Sequence, residues 1–182
     1  TALSSIQTRH MEWDPGTAAT LAWLQETLLA LGTTPELDSF SIVRHREIPT
    51  ANVEVLLPGR LHPERELIVG AHWDCIAYPE SFADSSARAP GADDNATGVA
   101  ALIELARLLR DQPLECSVRL VWFAAEELRL GGSAHLARRW RDPAPGDSLL
   151  CLINVDMIGY DPDAPDAALI YDERTAALAA EA

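Results

Sequence analysis

Residues 117–127 read Ser-Val-Arg-Leu-Val-Trp-Phe-Ala-Ala-Glu-Glu, and this stretch decides the fold. Ser117 to Ala124 is a short, mostly apolar run without the alternation of a half-exposed strand, and two adjacent acids follow it. Such a run suits a strand covered on both faces, as in a parallel sheet. Upstream, Asn95 to Arg110 reads as a long helix with Val99, Leu102, Ile103, Ala106 and Leu109 on one stripe. Before it lies a second short apolar strand, Glu66 to Ala71. Downstream, Gly132 to Trp140 reads as a helix, Leu149 to Val155 as a third buried strand, and Glu173 to Ala180 as the start of another helix. Strand, helix, strand, helix, strand, helix is the pattern of helices covering a largely parallel sheet.

The N-terminal part adds an edge to this frame. Residues 17–31 read as an amphipathic helix, begun by Asp14-Pro15-Gly16-Thr17 and stopped by Gly32. Phe40 to Arg46 and Asn52 to Leu57 alternate as two more polar strands, with Pro49 as the break between them. Being close in sequence, they are expected to form an antiparallel edge. The fold class is therefore α/β, a mixed, largely parallel central sheet sandwiched by helices. At 182 residues the chain suits one domain, 1–182.

Composition narrows the function. Net charge is −14, and all 14 bases are Arg. An acidic chain without a basic stripe is a poor binder of phosphate backbones, so nucleic acid is not an expected partner. No apolar run approaches the roughly 20 residues of a bilayer span, so no transmembrane segment is expected. The three cysteines, Cys75, Cys116 and Cys151, form no CxxC and indicate neither a disulfide framework nor a thiolate zinc site. Cys116 and Cys151 lie by or in apolar runs and are expected to be buried. The N-terminus shows neither a basic region nor an apolar region of the signal-peptide type.

Ligands of open α/β sheets bind beyond the carboxyl ends of the strands. After the first apolar strand come His72-Trp73-Asp74; after the second, Glu126-Glu127; after the third, Asp156. The long helix opens with Asp93-Asp94-Asn95. Each has an ordinary reading taken singly. Asp93 or Asp94 suits a helix N-cap, the Glu pair a solvated turn, His72 a hydrogen-bonded core group. Together they put many carboxylates on one rim, where they repel one another unless solvated or neutralised. A divalent cation is the direct remedy. Mixed His and carboxylate ligands suit zinc, with manganese and cobalt as the other candidates.

Four segments, Gly70–Asp74 (GAHWD), Gly91–Gly98 (GADDNATG), Trp122–Glu127 (WFAAEE) and Asn154–Tyr160 (NVDMIGY), resemble the motifs of the co-catalytic di-zinc aminopeptidases. That family includes the secreted bacterial leucine aminopeptidases and vacuolar aminopeptidase Y. The segments occur in the family's order, and the similarity runs from about residue 9, with its Thr8-Arg9-His10 opening, to about residue 160. The resemblance implies a metal-dependent exopeptidase that releases N-terminal amino acids from peptides by a metal-bound hydroxide, with peptides bearing a free N-terminus as partners. It implies that His72 and Asp156 bind one zinc, that Asp94 bridges two, and that Glu127 binds the second. Glu126 becomes the general base and acid, and Asp74 the carboxylate that orients His72. It implies a cis peptide at Asp94–Asn95, and a secreted or periplasmic location.

One ligand of that pattern is absent. The family has a further His downstream that joins Glu127, whereas the five histidines here are His10, His45, His62, His72 and His135. His135, beside Arg138 and Arg139, reads as a surface residue. The expectation is a catalytic domain incomplete at its C-terminal end, with two zinc ions per complete domain and at most one firmly bound by this chain. Two other readings stay open: a glutaminyl-cyclase-like single-zinc enzyme, and a non-catalytic binding domain on the same fold.

Overall fold

The computed structural model describes residues 2–159. Its elements in chain order are α1 (Ala2–Ser5), α2 (Asp14–Ala30), β1 (Glu36–Val43), β2 (Glu47–Leu57), β3 (His62–His72), α3 (Ala96–Leu109), β4 (Cys116–Phe123), α4 (Gly131–Arg139) and β5 (Ser148–Asn154). The helix expected over Glu173–Ala180 lies outside the described residues. Among the described residues, no helix is long and apolar enough to cross a membrane.

The five strands form one sheet in the order β1-β2-β4-β3-β5. β4, β3 and β5 run parallel, with β3 in the middle. β2 runs antiparallel to both β4 and β1. The mixed sheet with an antiparallel edge follows the sequence reading. Period-2 alternation divides its two faces. Val118, Leu120 and Trp122 of β4 join Val53 and Val55 of β2, Val69 and Ala71 of β3, and the helix residues Leu24, Leu28, Val99, Leu102 and Ala106. The intervening Val121 and Phe123 meet Ile68 of β3 and Leu136 of α4 on the other face. Helices α2 and α3 thus cover one side of the sheet and α4 the other.

Arg119 interrupts the apolar run of β4, and its neighbours explain how. Its guanidinium lies 2.6 Å from Glu66 and 2.8 Å from Glu54, and Glu54 is also paired with Arg139 of α4 at 2.9 Å. A charge this deep is tolerable because every partner is matched by hydrogen bonds.

Four local expectations are corrected. Pro49 does not separate the first two strands; it lies within β2, opposite Ser41, and the turn falls at residues 44–46. At that point β2 pairs only with β1, since its pairing with β4 spans Val53 to Leu57. A strand with one open flank accepts proline. β5 is not buried: Leu149, Leu150, Leu152 and Ile153 are 40–45% exposed. Among the described residues it pairs with β3 alone, so it is an edge. Cys116 and Cys151 are only partly buried, and Cys75 is the fully buried thiol. His135 is not a plain surface residue: its ring stacks on Phe40 at 4.7 Å and its Nε2 lies 3.0 Å from Asp38.

Candidate metal centre

The three parallel strands end on one rim, and each delivers acids or a histidine to it. His72 is the last residue of β3 and is 2% exposed. Its Nδ1 lies 3.1 Å from the main-chain carbonyl of Asp74 and 3.7 Å from that residue's carboxylate. A carbonyl can only accept, so Nδ1 carries the proton and Nε2 faces outward as the working atom. Nε2 lies 3.1 Å from Asp94 Oδ1 and 3.5 Å from Asp156 Oδ1. These three residues offer ligand atoms that all lie within 4.8 Å of one another, and so do His72, Glu126 and Glu127. The sequence-predicted site residues therefore converge. No other histidine joins either group among the described residues.

Asp94 comes from the segment preceding α3. Neither it nor Asp93 caps that helix; Asn95 does, its Oδ1 accepting from the Gly98 N–H at 3.1 Å. The Asp94–Asn95 peptide is cis, as the resemblance implied. Asn95 is fully buried and reaches across to the other side of the site. Its Nδ2 donates to the Val155 carbonyl at 2.9 Å, and its Oδ1 accepts from the Met157 N–H at 3.3 Å. Both neighbours of Asp156 are thus tied to the segment that carries Asp94. Asp93 adds a third tie, accepting from the Gly159 N–H at 2.8 Å.

Glu126 and Glu127 follow β4. Ala125 between them and the strand adopts φ 56°, a left-handed turn unusual for a residue with a Cβ. That turn takes the chain out of the strand and lets two consecutive side chains differ in direction. Asp74 fixes the turn from below: its carboxylate accepts the N–H of Glu126 at 3.0 Å and of Glu127 at 3.2 Å. Asp74 is 1% exposed, so its carboxylate oxygens are satisfied by these bonds and not by bulk water. Its carboxylate thus orients the acid pair, while its carbonyl orients His72. A cleft of about 380 Å³ opens beside Glu127, lined also by Ile42, Val43, Arg44, Leu128 and Arg129.

Electrostatics agree with a site built for a cation. Burial opposes the charged form of His72, but the Asp74 and Asp94 carboxylates outweigh it and raise the imidazole to about 11. The reciprocal hydrogen bond from His72 holds Asp94 below the usual carboxylate range, against burial. Burial, then repulsion from Asp94 and Asp74, pushes Glu127 up to about 7. Glu126 is raised as well, by burial first and by Asp74, Asp156 and Asp94, with His72 opposing.

The donor set fits zinc. Ligand atoms held about 2.0–2.1 Å from a tetrahedral zinc stand roughly 3.3 Å from one another. The 3.1 and 3.5 Å separations about His72 Nε2 bracket that value.

Sequence reasoning missed two residues that shape this centre. Asn95 was read only as part of a motif, because its contacts to 155–157 span about sixty residues. Arg9, fully buried, donates to the carbonyls of Trp73, Pro90 and Gly91. A lone Arg in an irregular N-terminal segment carries no local signal of such a role.

Comparison with known proteins agrees with this geometry. The model of peptidase family M28 matches residues 52–182. Leucine aminopeptidase 1 of Trichophyton rubrum is 32% identical over 170 residues, covering 88% of this chain and 43% of that protein. The uncharacterized protein YfbL of Escherichia coli strain K12 is 40% identical over 105 residues, covering 54% of this chain and 30% of that protein. The chain thus spans less than half the length of these relatives. Among solved structures, the LapA aminopeptidase of Legionella pneumophila superposes with TM-score 0.66 at 23% identity, covering 91% of this chain and 43% of that one. The glutaminyl cyclase of Fimbriiglobus ruber superposes with TM-score 0.73 at 20% identity, covering 88% and 59%. These two likenesses establish the fold alone. Together with the family model and the Trichophyton relative, the observations place the chain plainly: it belongs to peptidase family M28.

Proposed function

We propose that this chain forms part of the catalytic domain of a zinc-dependent aminopeptidase acting on peptides with a free N-terminus. The observation that carries this reading is the convergence of His72, Asp94 and Asp156 within ligand reach of one point, with Glu126 and Glu127 beside them. His72 Nε2, Asp94 and Asp156 would hold one zinc. By the family resemblance Asp94 and Glu127 would hold part of a second, weaker position, and among the described residues no histidine besides His72 joins either ligand group.

Zinc, when bound, polarises the scissile carbonyl and lowers the pKa of water to near 7. The chain's residues do the rest. Glu126 has a proton affinity above that of an ordinary carboxylate, which suits a group that takes a proton from the attacking water and returns it to the departing amine. Asp74 keeps the Glu126 and Glu127 main chains fixed, so that one carboxylate serves as base while its neighbour serves as ligand. The acidic rim attracts the α-ammonium of a substrate and disfavours an internal peptide bond, which has no such charge.

The test is a pair of variants. In the complete catalytic domain, Glu126→Gln should lower hydrolysis of an aminoacyl-nitroanilide by about 10²–10⁴ while zinc content is kept. Glu127→Gln should lose zinc from the weaker position. The reverse pattern would exchange the two roles, and pyroglutamate as the product from N-terminal Gln peptides would contradict the peptidase reading.

A further inference from the structure

Arg9 belongs to neither ligand group and takes no part in the chemistry proposed above, yet it is fully buried. Among the described residues its side chain makes no hydrogen bond to a carboxylate. Nε donates to the Trp73 carbonyl at 2.6 Å, Nη1 to Pro90 at 2.7 Å and more distantly to Leu3 at 3.5 Å, and Nη2 to Gly91 at 3.0 Å. Trp73 lies between His72 and Asp74, and Gly91 lies three residues before Asp94. One planar guanidinium therefore spans the two segments that carry His72 and Asp94.

The far end of this bridge is tightly seated. The Gly91 carbonyl accepts from Arg9 and also from the Ala96 N–H at 3.1 Å, the first residue of α3. Gly91 has φ 50°, and a Cβ there would collide with Arg9 Nη2, with the Asp94 carbonyl at 2.5 Å and with Cys75 Cβ at 2.6 Å. The near end is fixed too, because the Arg9 N–H donates to Cys75 Sγ at 3.3 Å and the Cys75 thiol to the Ala89 carbonyl at 3.0 Å. A buried cation whose contacts are neutral carbonyls is costly unless charge balances it at longer range. Asp74, Asp94 and Glu127 supply that attraction. Stability alone would be served as well by an apolar side chain in this place; a rigid fork of donors is suited to fixing a distance.

We propose that Arg9 is a positioning residue of the metal centre, setting the separation of His72 from Asp94 by clamping the Trp73 and Pro90–Gly91 carbonyls together. The proposal rests on the metal reading above. Groups that orient ligands from outside the coordination shell are typically worth about 10–100-fold in metal affinity.

Zinc affinity, measured by competition with a chromophoric chelator, separates the outcomes. Arg9→Lys keeps the charge but cannot span both segments, and Arg9→Gln keeps one contact at most. Both variants should bind zinc about 10–100-fold more weakly than the wild type at a temperature where circular dichroism shows them folded. Leu24→Ala, which cuts a core residue of α2 away from the acids, should lower the melting temperature and leave zinc affinity unchanged. A folded Arg9→Lys with wild-type affinity overturns the proposal, as does an equal loss in Leu24→Ala. Should the Arg9 variants not fold, the wild type labelled with 15N-arginine decides. Zinc should shift the Arg9 Nε–H resonance and slow its exchange at least tenfold, and an unmoved resonance overturns the clamp. A wild type that takes up no zinc at all sinks the metal reading, and the clamp with it.

Discussion

The protonation of His72 makes metal binding a proton exchange that can be counted. With its imidazole raised to about 11, His72 is fully protonated at neutral pH in the metal-free chain. Zinc requires the neutral ring, so each ion bound through Nε2 must expel one proton. Glu127, raised to about 7, is half-protonated at that pH and adds about half a proton more if it also ligates. Zinc held by His72, Asp94 and Asp156 alone should therefore release about one proton at pH 7, and about 1.5 if Glu127 joins. The competition weakens apparent affinity at pH 7 by on the order of 10⁴ relative to the deprotonated site, and affinity should rise about tenfold per pH unit from 6 to 9. Isothermal titration in three buffers of different ionisation enthalpy reads the number directly. A measured enthalpy independent of buffer, or an affinity flat between pH 6 and 8, would refute the reasoning.

The same shifts fix how the metal-free chain responds to pH. Both groups have folded pKa values above their unfolded ones, so each contributes stability at low pH that is lost as pH rises through the folded value. For Glu127 that window runs from its ordinary 4.5 to about 7, and for His72 from 6.5 to about 11. The melting temperature without metal should thus fall between pH 5 and 9, and saturating zinc should reverse the trend; a metal-free melting temperature that rises over this range contradicts it. Asp74→Asn replaces one of two carboxylate acceptors by an amide donor, leaving an N–H of Glu126 or Glu127 unsatisfied, so urea unfolding should show a loss of about 1–3 kcal/mol. Gly98→Ala places a Cβ 2.5 Å from Asn95 Oδ1 and 2.6 Å from the Val155 carbonyl. It should weaken zinc about tenfold by disturbing the tie beside Asp156, and a zinc titration at wild-type affinity would count against that tie. Leu120→Ala empties a fully buried site in the central sheet and should cost about 2–5 kcal/mol in the same urea assay, with no change at the metal residues.

The site was legible because its residues follow a pattern that strand geometry enforces. Apolar runs that end in His72, Glu126 and Asp156 belong to parallel strands, and parallel strands end on one side. The boundaries of α3 and β4 fell within about a residue of expectation, since helix periodicity and an unbroken apolar run are local signals. Other features depend on partners that local sequence does not name. Pro49 was read as a break because its tolerance comes from an unpaired flank of β2. β5 was read as buried because an apolar run does not reveal whether a second strand or a helix covers it. Asp93 or Asp94 taken singly suits a cap, but Asn95 holds that place while also bonding to Val155, which no spacing rule anticipates.

The reversal of direction between β4 and β2 separates two kinds of change in this protein's descent. Because β2 runs against the parallel trio, the β1–β2 turn at residues 44–46 rises on the acidic side, and Ile42, Val43 and Arg44 wall the cleft beside Glu127. None of these three belongs to either ligand group. Insertions in a hairpin tip extend over solvent and leave strand register untouched. This wall can therefore lengthen, shorten or change charge over generations while the candidate ligands His72, Glu127 and Asp156 stay where β3, β4 and β5 put them.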